Sequence, residues 1–238
     1  MTLYTAIIGD YDYLKPIKQI QSEPWNFVCF TDQPEDSPVF DLYREQPDHL
    51  KVWKIIRVPI LEEGPAKTAR YYKIMFHKHI EDELSIWVDG TFFVNTDLRL
   101  WVQANMKSDF TTVKHPFDDC AYIDAFACIS SGRGDKWELI NQINAYRQEG
   151  LPENNGLISS GVLMRRKTKA VIEACELWWD HVKRYSQRDQ VAFGYVNWKM
   201  PYAHTSIKWD YTIQKEFWHC PHRHKKYAEQ KAKEIAGI

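Results

Sequence analysis

Short apolar runs separated by polar segments dominate the first part of the chain. The runs at 3–9, 25–32, 52–60 and 85–94 are rich in β-branched and aromatic residues, which is typical of β-strands. Between the last two runs, residues 65–80 begin with a proline and repeat apolar residues at helical spacing, so this segment is predicted to be a helix. The pattern therefore predicts strands joined by helices or loops.

The second part of the chain has fewer strands and longer helical segments. Strands are predicted at 110–117 and 156–166, where apolar residues are concentrated. The spacing of apolar and capping residues predicts helices at 96–106, 118–130, 135–150, 169–186 and 188–199. Strands alternating with helices predict one α/β domain over residues 1–238, with a mostly parallel, doubly wound sheet flanked by helices. The last segment is strongly charged, and we expect a solvated helix at 221–238.

The composition is that of an ordinary globular protein with many aromatic residues. Of the 238 residues, 44% are hydrophobic, 26% are charged and 14% are aromatic, which excludes a disordered or collagen-like chain. The formal net charge of −1 gives no overall attraction to nucleic acid or to an anionic membrane. No run reaches the roughly 18 apolar residues that span a bilayer, and the first residues lack a cationic leader with an apolar core, so we expect a cytoplasmic protein.

Several common motifs are missing. No GxGxxG follows the first strand and no GxxxxGK[ST] is present, which argues against a dinucleotide-binding Rossmann domain and a P-loop nucleotidase. The GxSxG and HExxH motifs are also absent. The five cysteines are widely spaced, mostly among apolar neighbours, as expected of reduced thiols.

One charge interrupts the apolar run at 85–94. Asp89 lies at the predicted end of this strand, where open α/β sheets bind ligands. A buried carboxylate is costly unless it is paired or binds a cation, so Asp89 is a candidate ligand for Mg²⁺ or Mn²⁺, and Gly90 would let a phosphate approach the backbone. A second metal-binding carboxylate is missing, because Thr91 stands in its place. The alternative is that Asp89 caps the next turn.

Two cations precede the strand that carries Asp89. Arg70 and Lys73 are three residues apart in a predicted helix, so they share a face. Such a pair suits a diphosphate, since arginine binds phosphate oxygens bidentately and lysine acts as a point charge. The alternative is a solvated basic face that includes Lys67 and Lys78.

Two further segments carry polar residues at predicted element ends. In SQRDQ, Asp189 and Gln190 could bind sugar hydroxyls or stabilise developing positive charge, although Ser-x-x-Asp is also an ordinary helix start. In GLISSGVLMRR, Ser160 and Gly161 interrupt an apolar strand at a point where a ligand could come close.

Histidines and acids are concentrated in two segments. HCPHRH contains His219 and His222, and one of its histidines could complete a metal site with Asp89; a surface cluster without a metal is the alternative. KHPFDDCAYIDA contains His115 and Asp124 after a predicted strand, where an acceptor hydroxyl could be bound or deprotonated. Loop solvation is the simpler account of the two adjacent acids in this segment.

Taken together, the segments resemble one protein family in their order and spacing. They read YTAIIGDYD, FTD, ARYYKIMFHKHI, SIWVDGTFFV, HPFDDCAYIDA, YRQEGLPENNGL, SGVLMRR and SQRDQVAFGYVNWK. On these motifs the chain is identified as a member of a glycosyltransferase-like family long catalogued as a domain of unknown function, which occurs in bacteria, viruses and plants and includes mucilage-related proteins. That family is similar to nucleotide-sugar transferases of the GT-A fold.

The resemblance implies a nucleotide-sugar-binding half at about residues 1–110 and an acceptor-binding half at about 111–220. The residues expected to contact substrate are Thr5, Ile7, Asp10, Asp32, Arg70, Lys73, Trp87, Val88, Gly90, His115, Asp124, Ser160 and Gly161. Catalysis is expected to involve Asp89, Asp189 and Gln190. A metal would be held by Asp89 with His219 and His222, although DGT departs from the usual DxD pattern.

These expectations describe an enzyme of polysaccharide biosynthesis. It would transfer a hexosyl or pentosyl group from a nucleotide-diphosphate sugar to a saccharide or glycoconjugate acceptor, assisted by Mn²⁺ or Mg²⁺. Inversion and retention both stay open. Thr91 favours the alternative of a non-catalytic carbohydrate- or nucleotide-binding module with a degenerate metal site; a nucleotide-sugar hydrolase ranks third.

Overall fold

The computed structural model of the protein describes residues 1–201, 203–208, 211–220, 222, 223, 233 and 235. Most of the charged helix predicted at 221–238 lies outside these residues. The strands are β1 (Thr2–Ile7), β2 (Asn26–Thr31), β3 (Trp53–Arg57), β4 (Leu84–Val88), β5 (Phe92–Val94), β6 (Phe110–Lys114), β7 (Ile158–Arg166), β8 (Thr205–Ile207) and β9 (Phe217–His219).

The helices alternate with these strands along the chain. They are α1 (Asp41–Arg44), α2 (Pro65–Ile74), α3 (Leu98–Asn105), α4 (Ala121–Ser130), α5 (Lys136–Glu149), α6 (Lys169–Arg184), α7 (Asp189–Lys199) and α8 (Tyr211–Glu216), with 3₁₀ turns at Pro38–Phe40, Asp48–Leu50 and Phe76–Lys78. The helix predicted at 65–80 is therefore too long, because Met75 leaves the helical region and a 3₁₀ turn follows. No helix in the described part of the chain has the length and apolar character needed to cross a bilayer.

Seven strands form one mixed sheet in the order β3-β2-β1-β4-β7-β6-β8. The pairs β1–β2, β2–β3, β1–β4 and β6–β8 are parallel, whereas β7 runs antiparallel to both β4 and β6. The predicted α/β fold with a mostly parallel sheet is confirmed, with β7 as the exception. Because β7 is reversed, its first residues lie beside the last residues of β4 and β6, at what we call the carboxyl end of the sheet.

The apolar run at 85–94 is not one strand. β4 is buried throughout and ends at Val88, and a turn closed by the Phe92 amide and the Asp89 carbonyl, 3.0 Å apart, leads into β5. β5 pairs with β9 in a separate two-stranded sheet. Asp89 consequently stands in the turn between two sheets, and its side chain is 38% exposed, so it does not bear the full cost of a buried charge.

Side chains alternate between the two faces of the large sheet, as the pleat requires. Leu3 and Ile86 contribute to a core on one face, while Tyr4 and Trp87 contribute to a core on the other. Helices α2, α6 and α7 cover the second face, and α3 packs against the first. Helices on both faces confirm the doubly wound arrangement and fix α2 and α7 beside the end of β4.

Helices α4 and α7 approach closely where Ala121 faces Gly194. A Cβ atom built on Gly194 would lie 2.7 Å from the Ala121 Cβ, which is well inside van der Waals contact. Because α7 carries Asp189 and Gln190 at its start, this contact helps to set their position.

We expect Gly194→Ala to lower the free energy of unfolding by about 1–3 kcal/mol, as overpacking does in a filled core. The sign of this change is informative, because replacing a glycine inside a helix by alanine ordinarily stabilises the protein by about 0.5–1 kcal/mol. Urea denaturation measures the change. The double variant with Ala121→Gly should be more stable than Gly194→Ala alone, and a stability gain in the single variant would contradict the packing argument.

Candidate active site

Four elements bring polar residues together at the carboxyl end of the sheet. Asp89 follows β4, Lys73 lies in the last turn of α2, Ser160 lies near the start of β7, and Asp189 begins α7. The reversed direction of β7 is what places Ser160 there. Residues that are far apart in the sequence thus form one cluster.

The Lys73 ammonium is the centre of this cluster. Its Nζ lies 2.6 Å from Asp189 Oδ2, 2.9 Å from Ser160 Oγ and 3.2 Å from Asp89 Oδ1. The side chain is only 2% exposed, and an ammonium has three hydrogens to donate. All three are therefore used by the protein itself, and the lysine links an exposed carboxylate to a buried one.

Arg70 shares the helix face with Lys73, as the sequence predicts, but its environment differs. Its Nε is 3.9 Å from Asp189 Oδ1, and no hydrogen-bond acceptor lies within reach of that nitrogen. The side chain is 29% exposed. Arg70 thus has donors to offer, whereas Lys73 has none left. The alternative of a solvated basic face does not describe this pair, since Lys73 is buried.

The Asp89 carboxylate is oriented by its neighbours. Its Oδ1 accepts hydrogen bonds from the Trp87 indole, at 2.7 Å, and from Lys73. Its Oδ2 accepts none from the residues that the structure describes. The expectation that Asp89 only caps a turn is wrong, because its side chain bonds to Lys73 and Trp87.

Gly90 and Gly161 occupy positions where other protein atoms leave little room for a side chain. A Cβ on Gly161 would lie 2.7 Å from the Phe92 ring, and one on Gly90 would lie 3.0 Å from Asp12 Oδ2. The packing of these protein atoms accounts for the small residues, and contact of either glycine with a ligand stays a prediction. Ser160 does reach the site, through Lys73 and Asp189.

Asp189 is buried but strongly compensated. Burial alone raises the pKa of its carboxyl group, but the charges of Lys73 and Arg70 outweigh that effect and hold the pKa well below its usual range. Ser160 Oγ donates to Oδ2 at 3.0 Å, and the Trp178 indole donates to the Asp189 carbonyl at 2.8 Å. Asp189 therefore stays ionised, and it acts as more than the helix cap that the motif also allowed.

Gln190 and Arg188 flank Asp189. The Gln190 amide donates to the Ile158 carbonyl at 3.0 Å and accepts from the Arg188 guanidinium at 2.9 Å. These bonds hold the amide beside β7. Arg188 was missed by the sequence reasoning, although it lies in the same SQRDQ motif.

The residues expected around a nucleoside lie on β1 and β4 and in the loops that follow β1 and β2. Thr5, Ile7 and Val88 are almost fully buried and line a small cavity beneath Asp89, so they support the site from below. Asp32 accepts a hydrogen bond from the Gly9 amide at 2.7 Å and shapes the loop after β1. Asp10 is exposed and pairs with Arg223. Their contact with a substrate stays a prediction.

The acceptor-side residues His115 and Asp124 lie apart from Lys73 in the hydrogen-bond network. His115 accepts from the Asp118 amide at 3.0 Å. Asp124 is buried on α4 beside Cys128, and its Oδ2 has no hydrogen-bond partner. No described hydrogen bond joins either residue to Lys73, Asp89 or Asp189, so their role with an acceptor also stays a prediction.

The histidines proposed as metal ligands lie near Asp89, since the charges of His222, Asp12 and Asp89 all act on the pKa of His219. His222 Nδ1 is 2.9 Å from Asp12 Oδ1, and the His219 ring packs on Phe92 with centroids 5.6 Å apart. Burial, followed by the charge of His222, lowers the pKa of His219. Among the described residues, no three His, Cys, Asp or Glu side chains are arranged to hold a metal ion. Metal binding by Asp89, His219 and His222 stays a prediction.

Two residues beside Asp89 escaped the sequence reasoning. Asp12 packs against Gly90, and Lys15 donates from its buried Nζ to the Gly90 carbonyl. Burial lowers the pKa of Lys15, while Asp12 raises it. Asp12 belongs to the GDYD motif, where the second acid was the available signal; nothing in the sequence distinguished Lys15 from other surface lysines.

Comparison with known proteins places these features in context. The family model for the TOD1/MUCI70 glycosyltransferase-like domain matches residues 1–224. A probable hexosyltransferase, MUCI70 of Arabidopsis thaliana, is 21% identical over 216 residues, which is 82% of this chain and 37% of the relative. The chain thus spans little more than a third of that relative's length.

Solved glycosyltransferases share the fold. Mouse xyloside xylosyltransferase 1, in its apo form, superposes with a TM-score of 0.52 at 12% identity, covering 86% of this chain and 84% of the other. An active-site mutant of LgtC gives a TM-score of 0.50 at 11% identity, covering 100% and 95%. At these identities the likeness concerns the fold, which is that of GT-A glycosyltransferases. On the family match, the chain belongs to the TOD1/MUCI70 glycosyltransferase-like domain family.

Proposed function

We propose that this domain transfers a sugar, most simply a hexosyl group, from a nucleotide-diphosphate sugar to a hydroxyl of a saccharide or glycoconjugate acceptor. The observation that carries the proposal is the Lys73 ammonium between the part-exposed Asp89 and the buried Asp189, beside Arg70. The family and the fold support the reaction class. The hexosyl choice follows the Arabidopsis relative, which is described as a probable hexosyltransferase.

Arg70 is the residue we assign to the leaving diphosphate. Its Nε lacks an acceptor and its side chain is partly exposed. A guanidinium binds phosphate oxygens in bidentate geometry, and such charge-assisted bonds are stronger than neutral ones. The sequence assigned this role to Lys73 as well, but the hydrogen bonds of Lys73 are already taken by Asp89, Asp189 and Ser160.

Asp189 is the residue we assign to the sugar itself. Glycosyl transfer passes through an oxocarbenium-like state in which positive charge develops at the sugar ring. A carboxylate held in place before the reaction stabilises that charge without reorganising. The depressed pKa of Asp189 keeps this carboxylate ionised, and Gln190 next to it remains our candidate for contact with sugar hydroxyls.

A divalent cation remains part of the proposal because of the charge balance. Arg70 and Lys73 face Asp89 and Asp189, so two positive charges are matched by two negative charges before any diphosphate arrives. Mg²⁺ or Mn²⁺ would supply the missing positive charge through oxygen ligands. Asp89 would hold it, while the completing ligands stay open. The roles assigned to Arg70 and Asp189 do not depend on the ion.

We expect Asp89→Asn to lower donor hydrolysis at least about 100-fold, because the charge is lost while the shape is kept. A screen of UDP-, GDP- and TDP-sugars measures the rate. Asp109→Asn is the matched control, since Asp109 is half exposed at the opposite end of the sheet, paired with Arg166. Equal rates in the wild type and Asp89→Asn would remove Asp89 from the mechanism.

Calorimetry with the same panel separates the enzyme from a binding module. The module is favoured by Thr91, a buried residue in place of a second carboxylate. Binding of nucleoside diphosphates supports a transferase, whereas binding of sugars alone supports the module.

We expect Lys73→Met to lower the free energy of unfolding at pH 7 by about 3–5 kcal/mol, because a buried carboxylate loses its partner. The depressed pKa of Asp189 means that this stabilisation is present above the unfolded pKa, about 4, and is lost as the pH falls below it. The difference between wild type and variant should therefore shrink below about pH 4. Urea denaturation at several pH values measures it.

Lys78→Met is the control for this series, because Lys78 is half exposed and pairs only at the surface with Glu176. A pH-independent difference between wild type and Lys73→Met would contradict the ionised state of Asp189.

We expect chelation to test the proposed cation. Dialysis against EDTA should lower donor hydrolysis at least about tenfold, and added Mn²⁺ should restore it, because the side-chain charges alone do not neutralise a diphosphate. Hydrolysis that is unaffected by EDTA would show that Arg70 and its neighbours suffice.

A further inference from the structure

A guanidinium is buried beneath the candidate active site without a carboxylate partner. Arg165 on β7 is 0% exposed, and no described carboxylate forms an ion pair with it. Burying a charge without a counter-ion is costly, and an apolar side chain of similar volume is often as stable or more stable. The contacts of Arg165 therefore call for an explanation other than stability.

The guanidinium binds the end of helix α2. Its Nη2 donates to the Lys73 carbonyl at 2.6 Å, and its Nη1 donates to the Ile74 carbonyl at 3.3 Å. The last carbonyls of a helix lack partners within the helix and carry partial negative charge. Arg165 satisfies both needs, and the Phe76 ring, 4.3 Å from the guanidinium carbon, covers it.

Tyr4 also binds the end of helix α2. Its hydroxyl donates to the same Lys73 carbonyl at 3.0 Å and accepts from Arg165. Burial raises the pKa of Tyr4, so the hydroxyl keeps its proton and remains a donor. The Lys73 backbone is thus held by two donors from β1 and β7, the strands on either side of β4.

Strand β7 therefore contacts both the side-chain ammonium and the backbone carbonyl of Lys73. Ser160 accepts from the ammonium, and Arg165, five residues further along the strand, donates to the carbonyl of the same residue. The position of the ammonium between Asp89 and Asp189 depends on where α2 ends. Arg165 acts on that end and touches neither carboxylate.

We propose that Arg165 is a positioning residue: by binding the Lys73 and Ile74 carbonyls it fixes the ammonium that links Asp89 to Asp189. The kinetic consequences rest on the proposed glycosyl transfer. Because Lys73 has no hydrogen left for the substrate, its displacement should affect turnover more than donor binding, which we assign to Arg70.

Kinetics of donor hydrolysis test the proposal with three variants. We expect Arg165→Met to lower kcat about 10- to 100-fold, a size that small misplacements in an active site produce, and to change KM less than about threefold. Arg165→Lys keeps the charge but not the forked geometry of the guanidinium, so its kcat should lie between those of the wild type and Arg165→Met. Arg166→Met is the matched control, because Arg166 is the exposed neighbour on the same strand, and its kcat should equal that of the wild type.

A double-mutant cycle separates positioning from general damage to the fold. In a Lys73→Met background, Arg165→Met should lower kcat less than about twofold further, since the ammonium is already absent. Independent, multiplying losses in the two variants would overturn the proposal, as would a loss in Arg165→Met no larger than in Arg166→Met.

Hydrogen exchange gives a readout that needs no activity. Arg165→Met should speed exchange of the amides in the last turn of α2, and Arg166→Met should leave them unchanged. If the wild type hydrolyses no donor, the proposed function fails while this arm still decides the role of Arg165. Unchanged exchange at the end of α2 in folded Arg165→Met would overturn the proposal.

Discussion

A single buried ammonium determines the arrangement of the site. Lys73 lies between Asp89 and Asp189, and without it two carboxylates would repel each other across a poorly solvated space. Each of the three contacts comes from a different element, after β4, on β7 and on α7. The cluster therefore joins two helices on one face of the sheet to the carboxyl end of its strands.

The two cations of helix α2 illustrate how burial divides similar residues into different roles. Arg70 and Lys73 have the same sign and the same helix face, yet only Arg70 has a donor without an acceptor. The hydrogens of Lys73 are all taken by the protein, whereas the unpartnered donor of Arg70 is the reason we assign that residue to the diphosphate. The difference between the two residues depends on interatomic distances in the folded protein, so it could not be read from the charges along the sequence.

Much of the fold followed from the sequence because apolar periodicity reports burial. It located β1 to β4, β6, β7 and the longer helices, whereas β8 and β9 were not predicted, and the motif series pointed to the right family. The direction of β7 did not follow, since an apolar strand buried on both faces reads the same in either direction. The turn at Asp89 did not follow from the sequence either. The residues on both sides of it are apolar because β4 and β5 belong to two different sheets, and apolar periodicity shows only that both strands are buried.

The site was predicted in part for a related reason. Asp89, Lys73, Ser160 and Asp189 do come together, since each stands near the end of an element at the carboxyl end of the sheet. Asp12, Lys15, Arg165 and Arg188 were missed because their importance arises from partners distant in the chain, such as the Gly90 carbonyl and the end of α2. At Gly90 and Gly161 the sequence indicated a close approach, but it could not indicate that Asp12 and Phe92 are among the atoms that approach.

The pairing of β5 with β9 has a consequence for how the domain is organised. β9 lies more than a hundred residues beyond β5, and next to it the Cys220 amide donates to the Thr91 carbonyl at 2.7 Å. The turn that begins at Asp89 is thereby hydrogen-bonded to β9 and to the residue that follows it. The two halves predicted at about residues 1–110 and 111–220 are consequently not interchangeable modules, because a recombination point between them would separate the turn from the strand that completes it.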